Sequence, residues 1–260
     1  MRQDQRAEHE LRKIKVTRGF TQTPAGSVLW EQGKTIVLCT ACITAEVPAW
    51  FREDRPGGWV TAEYVMLPGS TPVRKGWPKM GHTDSRGTEI QRLIGRSLRA
   101  VVDLSKIGAH TITVDCQVLQ ADGGTRTAAI CAGFVALTDA IAKLPREMPV
   151  PRGSFREQAS ERPLPARFDP KFYDPSTALV GQLAAVSVGV VDGQVMLDLD
   201  YGEDSRAEVD MNVGYTGRGR FVEVQGSAEK GLGFERQGME QMLDLAVVGC
   251  ERIMEIQGQS

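Results

Sequence analysis

Between residues 11 and 66, short apolar runs are broken by turns rich in Gly and charge, a rhythm that predicts strands. Ser27-Val28-Leu29-Trp30, the turn Glu31-Gln32-Gly33-Lys34 and the apolar run Thr35 to Ile43 form a hairpin pattern. Residues 68–87 carry Gly, Pro, Lys and Arg without an apolar period and read as an unusually long loop. From Thr88 the period lengthens. Ile90, Leu93, Ile94, Leu98, Val101 and Val102 recur at the spacing of an amphipathic helix, with Arg92, Arg96 and Arg99 as a basic stripe on its other side. Thr111 to Leu119 alternates again, a strand. Ala121-Asp122-Gly123-Gly124-Thr125-Arg126 then leads into Thr127 to Leu137, small and apolar nearly all round, which predicts a buried helix. Strands follow at 183–191, 194–201, 207–215 and 220–225. A closing amphipathic helix carries Met239, Met242, Leu243, Ala246, Val247, Cys250, Ile253 and Met254.

This order predicts an α+β protein with helices on one side of mixed sheets. The 260 residues suffice for a sizeable core in one domain. Residues 145–175 hold seven of the thirteen prolines and read as an excursion between two halves. No run of 18 apolar residues occurs, and the first six residues lack an apolar stretch. Neither a membrane span nor a signal peptide is expected, and the expected location is the cytoplasm.

Five cysteines are scattered among apolar residues. Cys39 and Cys42 form a C-x-x-C, but three positions apart on a strand the two thiols point to opposite faces, and no second ligand pair lies nearby. Buried thiols acting as small hydrophobes are expected. The net charge is −2, yet residues 74–99 hold seven cations against two anions, a local +5 suited to phosphate groups. A solvated helix face would carry the same charges.

Two segments offer chemistry. Asp122-Gly123-Gly124-Thr125-Arg126 joins a strand to a helix; two glycines let a ligand approach the backbone, the amides open at a helix start, and Arg126 adds a bidentate donor for an anion. A plain turn with a solvated arginine shares that sequence. Glu203-Asp204 precedes Asp210, which on a strand shares a face with Glu208 and Asn212; two carboxylates converging near phosphates would hold Mg²⁺. An acidic turn beside one strand carboxylate is the plainer alternative. His9, His82 and His110 sit in polar, exposed-looking stretches, and neither a nucleophile elbow nor a Walker loop is present. Chemistry without a protein nucleophile suggests that the nucleophile arrives as a substrate.

At this point a family resemblance accounts for the motifs. Gly58-Trp59-Val60-Thr61-Ala62-Glu63-Tyr64 with Met66-Leu67-Pro68, the run Glu89 to Ala100, Gln120 to Ala128, Glu203-Asp204-Ser205 with Val209 to Val213, and Phe221 to Gly226 resemble the ribonuclease PH family, in order over nearly the whole chain. The resemblance implies a ribosomal-protein-S5-like α+β fold in a single domain, assembled as a homohexamer, a trimer of dimers. It implies phosphate-dependent 3′-to-5′ exoribonuclease action on tRNA precursors and other single-stranded RNA 3′ ends, with a part in rRNA processing. Nucleoside diphosphates are released, and the reverse reaction is nucleotidyl transfer. Carried over by position, Arg86 and Gly124-Thr125-Arg126 bind phosphate, Asp204 and Asp210 hold Mg²⁺ and act with Arg126 in catalysis, and Arg74, Lys75 and Lys79 approach RNA. Arg92, Arg96 and Arg99 are further candidate contacts to the RNA backbone.

The chain departs from the family pattern in places. Arg2-Gln3-Asp4-Gln5-Arg6 replaces Arg-Pro-Asp-Gly-Arg and is expected to loosen that turn; Gln117 stands where an acid is usual, Gly87 replaces Thr, and Gly214-Tyr215 replaces two apolar residues. The excursion 145–175 is also longer than the family's connection. None of these removes a phosphate or metal group. The alternatives are a catalytically inert RNA-binding ring subunit and a small-molecule kinase, for which Gly123-Gly124 is too short a glycine loop. A ring would also cover Trp50, Phe51 and Trp59, although core burial would serve them as well.

Overall fold

The computed structural model describes residues 2–51, 54–77, 84–147, 168–231 and 233–260. Lys79, His82 and most of the proline-rich excursion lie outside them. Strands β1 (Ile14–Arg18), β2 (Gly26–Gln32), β3 (Thr35–Thr44), β4 (Trp59–Met66) and β5 (Thr111–Gln120) form a five-stranded sheet in the order β1-β2-β3-β5-β4. All neighbours are antiparallel except β4 and β5, which run parallel and are joined through helix α1 (Ser85–Arg99). Strands β6 (Leu183–Val191), β7 (Gln194–Leu197), β8 (Val209–Thr216) and β9 (Arg220–Ala228) form a four-stranded antiparallel sheet ordered β7-β6-β8-β9.

The inward face of the first sheet follows the period-two pattern: Val28 and Trp30, Val37, Cys39 and Ala41, and Ile112, Val114, Cys116 and Val118 are all buried. Helix α2 (Thr125–Ala142) is apolar on every side because it packs on β2, β3 and β5 of one sheet and on β6 of the other. By length and composition alone it is the one described helix that could cross a membrane, yet 72% of it is buried inside the protein. The short helix α3 (Tyr201–Asp204) lies between β7 and β8, and the closing helix α4 (Arg236–Gln259) packs on β6, β7 and β8.

The expected α+β class is the one observed, with several local corrections. α2 lies between the sheets instead of on one side of both. α1 starts at Ser85, three residues ahead of the apolar period, because the Asp84 carboxylate accepts from the Gly87 amide and caps the helix. The strand expected over 194–201 stops at Leu197, because Asp198 adopts φ +54° and a helical turn follows. Cys39 and Cys42 do face opposite ways, but Cys42 is exposed. His110 is buried at 4% exposure, with Nδ1 2.8 Å from the Ile107 carbonyl oxygen. The turn at Arg2-Gln3-Asp4-Gln5-Arg6 is closed by the Gln5 amide donating to Arg2 O at 3.1 Å, with Gln5 held at φ +63°. The missing glycine has put backbone strain there instead of loosening the turn.

Candidate active site

Between β5 and α2 the chain turns through Gly123 (φ +74°) and Gly124 (φ +63°). That conformation costs an L-residue about 1–2 kcal/mol, which is why glycine is needed at both positions. A Cβ on Gly123 would also stand 2.5 Å from Leu199 O and 2.9 Å from the Tyr201 nitrogen, so the turn is packed directly on the start of α3. Gly124 is the N-cap of α2 and supplies no side-chain acceptor, which leaves first-turn amides free for an anion. The Thr125 hydroxyl accepts from Tyr64 Oη at 2.9 Å. Arg126 Nη1 donates to Gln225 Oε1 at 2.7 Å, and Gln225 Nε2 donates to Glu89 Oε1 at 2.7 Å, so β9 and α1 together aim the guanidinium. Arg86, in the first turn of α1, faces the same space.

The carboxylates come from α3 and β8. Asp200 and Glu203 form a capping box at the start of α3, and Asp204 is its last residue. Asp210 is the second residue of β8, where Asn212 Nδ2 donates to its Oδ2 at 3.3 Å while its Oδ1 is buried without a partner among the described residues. Burial pushes the Asp210 carboxyl up to about 6; the nearby Asp204 adds to the rise, and Arg126 opposes it. Burial also raises Asp204, against the pull of Arg126 and Arg86. Two neighbouring half-buried acids, one with an oxygen unpaired among the described residues, suit a cation. Among the described residues no three His, Cys, Asp or Glu side chains gather into a metal cage. A pair of carboxylates is the donor set that suits Mg²⁺, which keeps waters and shares phosphate oxygens.

Arg86, the 124–126 turn, Asp204 and Asp210 line one cavity of about 740 Å³, with Arg74 and Lys75 along its rim. A smaller recess of about 440 Å³ adjoins it through Arg86, Arg126, Asp210 and Asn212. The α1 stripe does not reach this cavity. Arg92 is exposed, Arg96 Nη2 pairs with Glu223 Oε2 at 2.8 Å, and Arg99 lies 4.4 Å over the Trp59 ring and donates to Val60 O at 2.9 Å.

A buried support beneath the site escaped the sequence reading. Arg2 Nε and Nη2 donate to Glu203 Oε1 and Oε2, both at 2.7 Å, and so fix α3. Arg12 grips Asp198 through Nε at 3.1 Å and Nη2 at 2.6 Å, and its Nη1 donates to the Asp122 carbonyl just before the glycine turn. The available signal was Asp198 itself, a carboxylate among apolar residues that needs a cation if buried.

The pattern of the 3′ exoribonuclease family, domain 1, matches residues 10–143, and that of domain 2 matches residues 181–249. The chain belongs to the 3′ exoribonuclease family. Within it, the chain is 50% identical over 257 residues to ribonuclease PH of Nocardia farcinica, covering 98% of this chain and 90% of that protein. It is 50% identical over 260 residues to ribonuclease PH of Rhodococcus erythropolis, covering 100% and 90%. Among solved structures, the Archaeoglobus fulgidus exosome with RNA bound to the active site aligns with TM-score 0.72 at 19% identity, over 98% of this chain and 91% of that one. Rice Rrp46 aligns with TM-score 0.70 at 19% identity, over 98% of both chains. These structures share the fold.

Proposed function

We propose that this chain is a phosphate-dependent 3′-to-5′ exoribonuclease that trims tRNA precursors and, in reverse, adds nucleotides from nucleoside diphosphates. The observation that carries the reading is the convergence of Arg86, the 124–126 turn, Asp204 and Asp210 on one cavity. Orthophosphate, at roughly −1.5 to −2 charge, must approach an anionic diester, so repulsion is the main obstacle. Arg86, Arg126 and the open amides hold and orient the phosphate. One of its oxygens bonds to the terminal phosphorus, and the bond from that phosphorus to the penultimate 3′-oxygen breaks. The 3′-oxygen leaves with the electron pair and takes up the proton that the attacking hydrogen phosphate gives up, and the terminal nucleotide departs as a diphosphate. Asp204 and Asp210 would hold Mg²⁺, which would offset charge on the transferred phosphoryl and the leaving oxygen. Arg74 and Lys75 receive the RNA backbone; Arg92 and Arg96 extend that contact outward, and Arg99 contributes least because Trp59 and Val60 already hold it. The buried Oδ1 of Asp210, without a partner among the described residues, favours this reading over an inert ring subunit.

The test is RNA decay with and without phosphate, with identification of the released nucleotide. Diphosphates should form only with phosphate, and Arg126→Ala should slow their release by about 10²-fold or more through loss of a charge-assisted contact. Equal decay without phosphate, releasing monophosphates, would mark a hydrolase and end the proposal.

The same reading includes a cytoplasmic homohexamer, a trimer of dimers, with the two matched segments acting as one domain because α2 packs on both sheets. Apolar side chains left open on a single chain, such as Trp50 at 64% exposure, support assembly. Sedimentation should give six copies, and a monomer at working concentration would contradict the ring.

A further inference from the structure

We infer that Tyr201 is the platform on which the base of the RNA 3′-terminal nucleotide stacks, a subsite for any nucleobase that serves equally the base of a nucleoside diphosphate in reverse. The identity of the ligand rests on the phosphorolytic reading above; the platform itself rests on geometry.

Tyr201 opens α3, is 61% exposed and lines the 740 Å³ cavity. Its phenol oxygen has no hydrogen-bond partner among the described residues, so neither packing nor a polar contact with them accounts for the side chain. Its backbone, in contrast, is tightly fixed. The Tyr201 nitrogen lies 2.9 Å from where a Cβ on Gly123 would be, and α3 is held by the Asp200–Glu203 capping box and by Arg2. A rigid turn presenting a free aromatic ring costs little entropy when that ring is covered.

Position decides what covers it. Tyr201 precedes Asp204 by three residues, which places both on one side of the helical turn. It also touches the glycine turn whose next residues are the phosphate-binding Gly124, Thr125 and Arg126. A nucleotide with its phosphoryl group between Arg126 and Asp204 therefore has its base beside Tyr201. The cavity is divided to match: Arg86, Arg126 and the two aspartates form its charged part, while Tyr201, Met66, Pro72 and Val73 supply apolar surface. Every base has a π-face, so stacking here holds the terminal residue without selecting its identity, as an exonuclease that shortens mixed sequences requires.

The experiment compares wild type, Tyr201→Ala and Tyr201→Phe. The first measurement is binding of a labelled short RNA in phosphate-free buffer, which needs no turnover. The second is the KM for RNA, for nucleoside diphosphate and for orthophosphate. Tyr201→Ala should weaken RNA binding and raise the RNA and diphosphate KM by about tenfold, within the range of one lost base–aromatic stack, while the phosphate KM stays within about twofold. The shift should be similar for RNAs ending in A, C, G or U, and Tyr201→Phe should behave as wild type. Unchanged RNA binding in Tyr201→Ala overturns the inference. So does a Phe variant as weak as Ala, which would mean a hydroxyl contact, or a smaller particle in sedimentation, which would make Tyr201 a subunit contact. If wild type releases no diphosphate, the reaction reading fails, and the binding comparison still decides the platform.

Discussion

Asp210→Asn should raise the melting temperature at neutral pH while reducing phosphorolysis by about 10³-fold or more, the loss of several kcal/mol of metal-assisted charge stabilisation. The two effects have one cause. Burial and the neighbouring Asp204 push this carboxyl from its usual 3.8 up to about 6, and its Oδ1 has no partner among the described residues. A carboxyl with a folded value above its unfolded one costs nothing at a pH below both values. The cost grows as pH rises through that interval and is fully present above about 6. At pH 7 the folded protein therefore carries a penalty of about 1–3 kcal/mol that asparagine removes, equivalent to roughly 2–8 °C in a protein of this size. The stability gained should shrink toward zero near pH 4. Mg²⁺ should raise the melting temperature of wild type more than that of the variant, because binding to the folded state stabilises it. Scanning calorimetry at both pH values and diphosphate release from the same sample check this. A lower melting temperature with near-normal turnover would make Asp210 a structural carboxylate and reopen the case for an inert ring subunit.

That Asp210, Asp204 and Arg126 share one cavity was legible in the sequence, because phosphate chemistry calls for particular residue types and the family motifs give their order. The strands were legible for a different reason: a sheet with one buried face writes its period into the chain, as at Val37, Cys39 and Ala41. The errors fell where a polar contact overrides periodicity. Apolar Leu199 continues the alternation past Leu197, but Asp198 has left the strand to meet Arg12. Asp84 starts α1 before any apolar period begins. Polar surroundings made His110 look exposed, although the loop carrying it folds inward. The largest omission was the support under the site. Arg2 and Glu203 are 201 positions apart, and no local pattern marks such a pair.

Removal of Arg12 should expose how much the site depends on that support. Arg12 is bidentate to Asp198, its own amide donates to Asp198 Oδ2 at 2.7 Å, and Gln32 Nε2 donates to Asp198 Oδ1 at 2.9 Å. Burial alone would raise the Asp198 carboxyl, but the charge and hydrogen bonds of Arg12 overcome it and hold the group below its usual 3.8. A lowered carboxyl stabilises the folded state above its unfolded value, and that contribution disappears as pH falls below about 4. Arg12→Met leaves buried Asp198 with only the more distant Arg6, whose Nη1 lies 3.8 Å from Oδ2, and should cost about 3–5 kcal/mol at pH 7. The carboxyl is then raised instead of lowered, so the deficit should widen as pH increases. Arg12→Met combined with Asp198→Asn removes the stranded charge and should recover most of the lost stability. It should not recover phosphate binding, because Arg12 also ties the Asp122 carbonyl, and so the Gly123-Gly124 turn, to the segment that leads into α3. The expected signature of the double variant is a melting temperature near wild type with a phosphate KM still raised about tenfold, the loss of roughly one hydrogen bond's worth of positioning. If the double variant regains both stability and the wild-type phosphate KM, Arg12 does no more than neutralise Asp198, and the glycine turn holds its shape unaided.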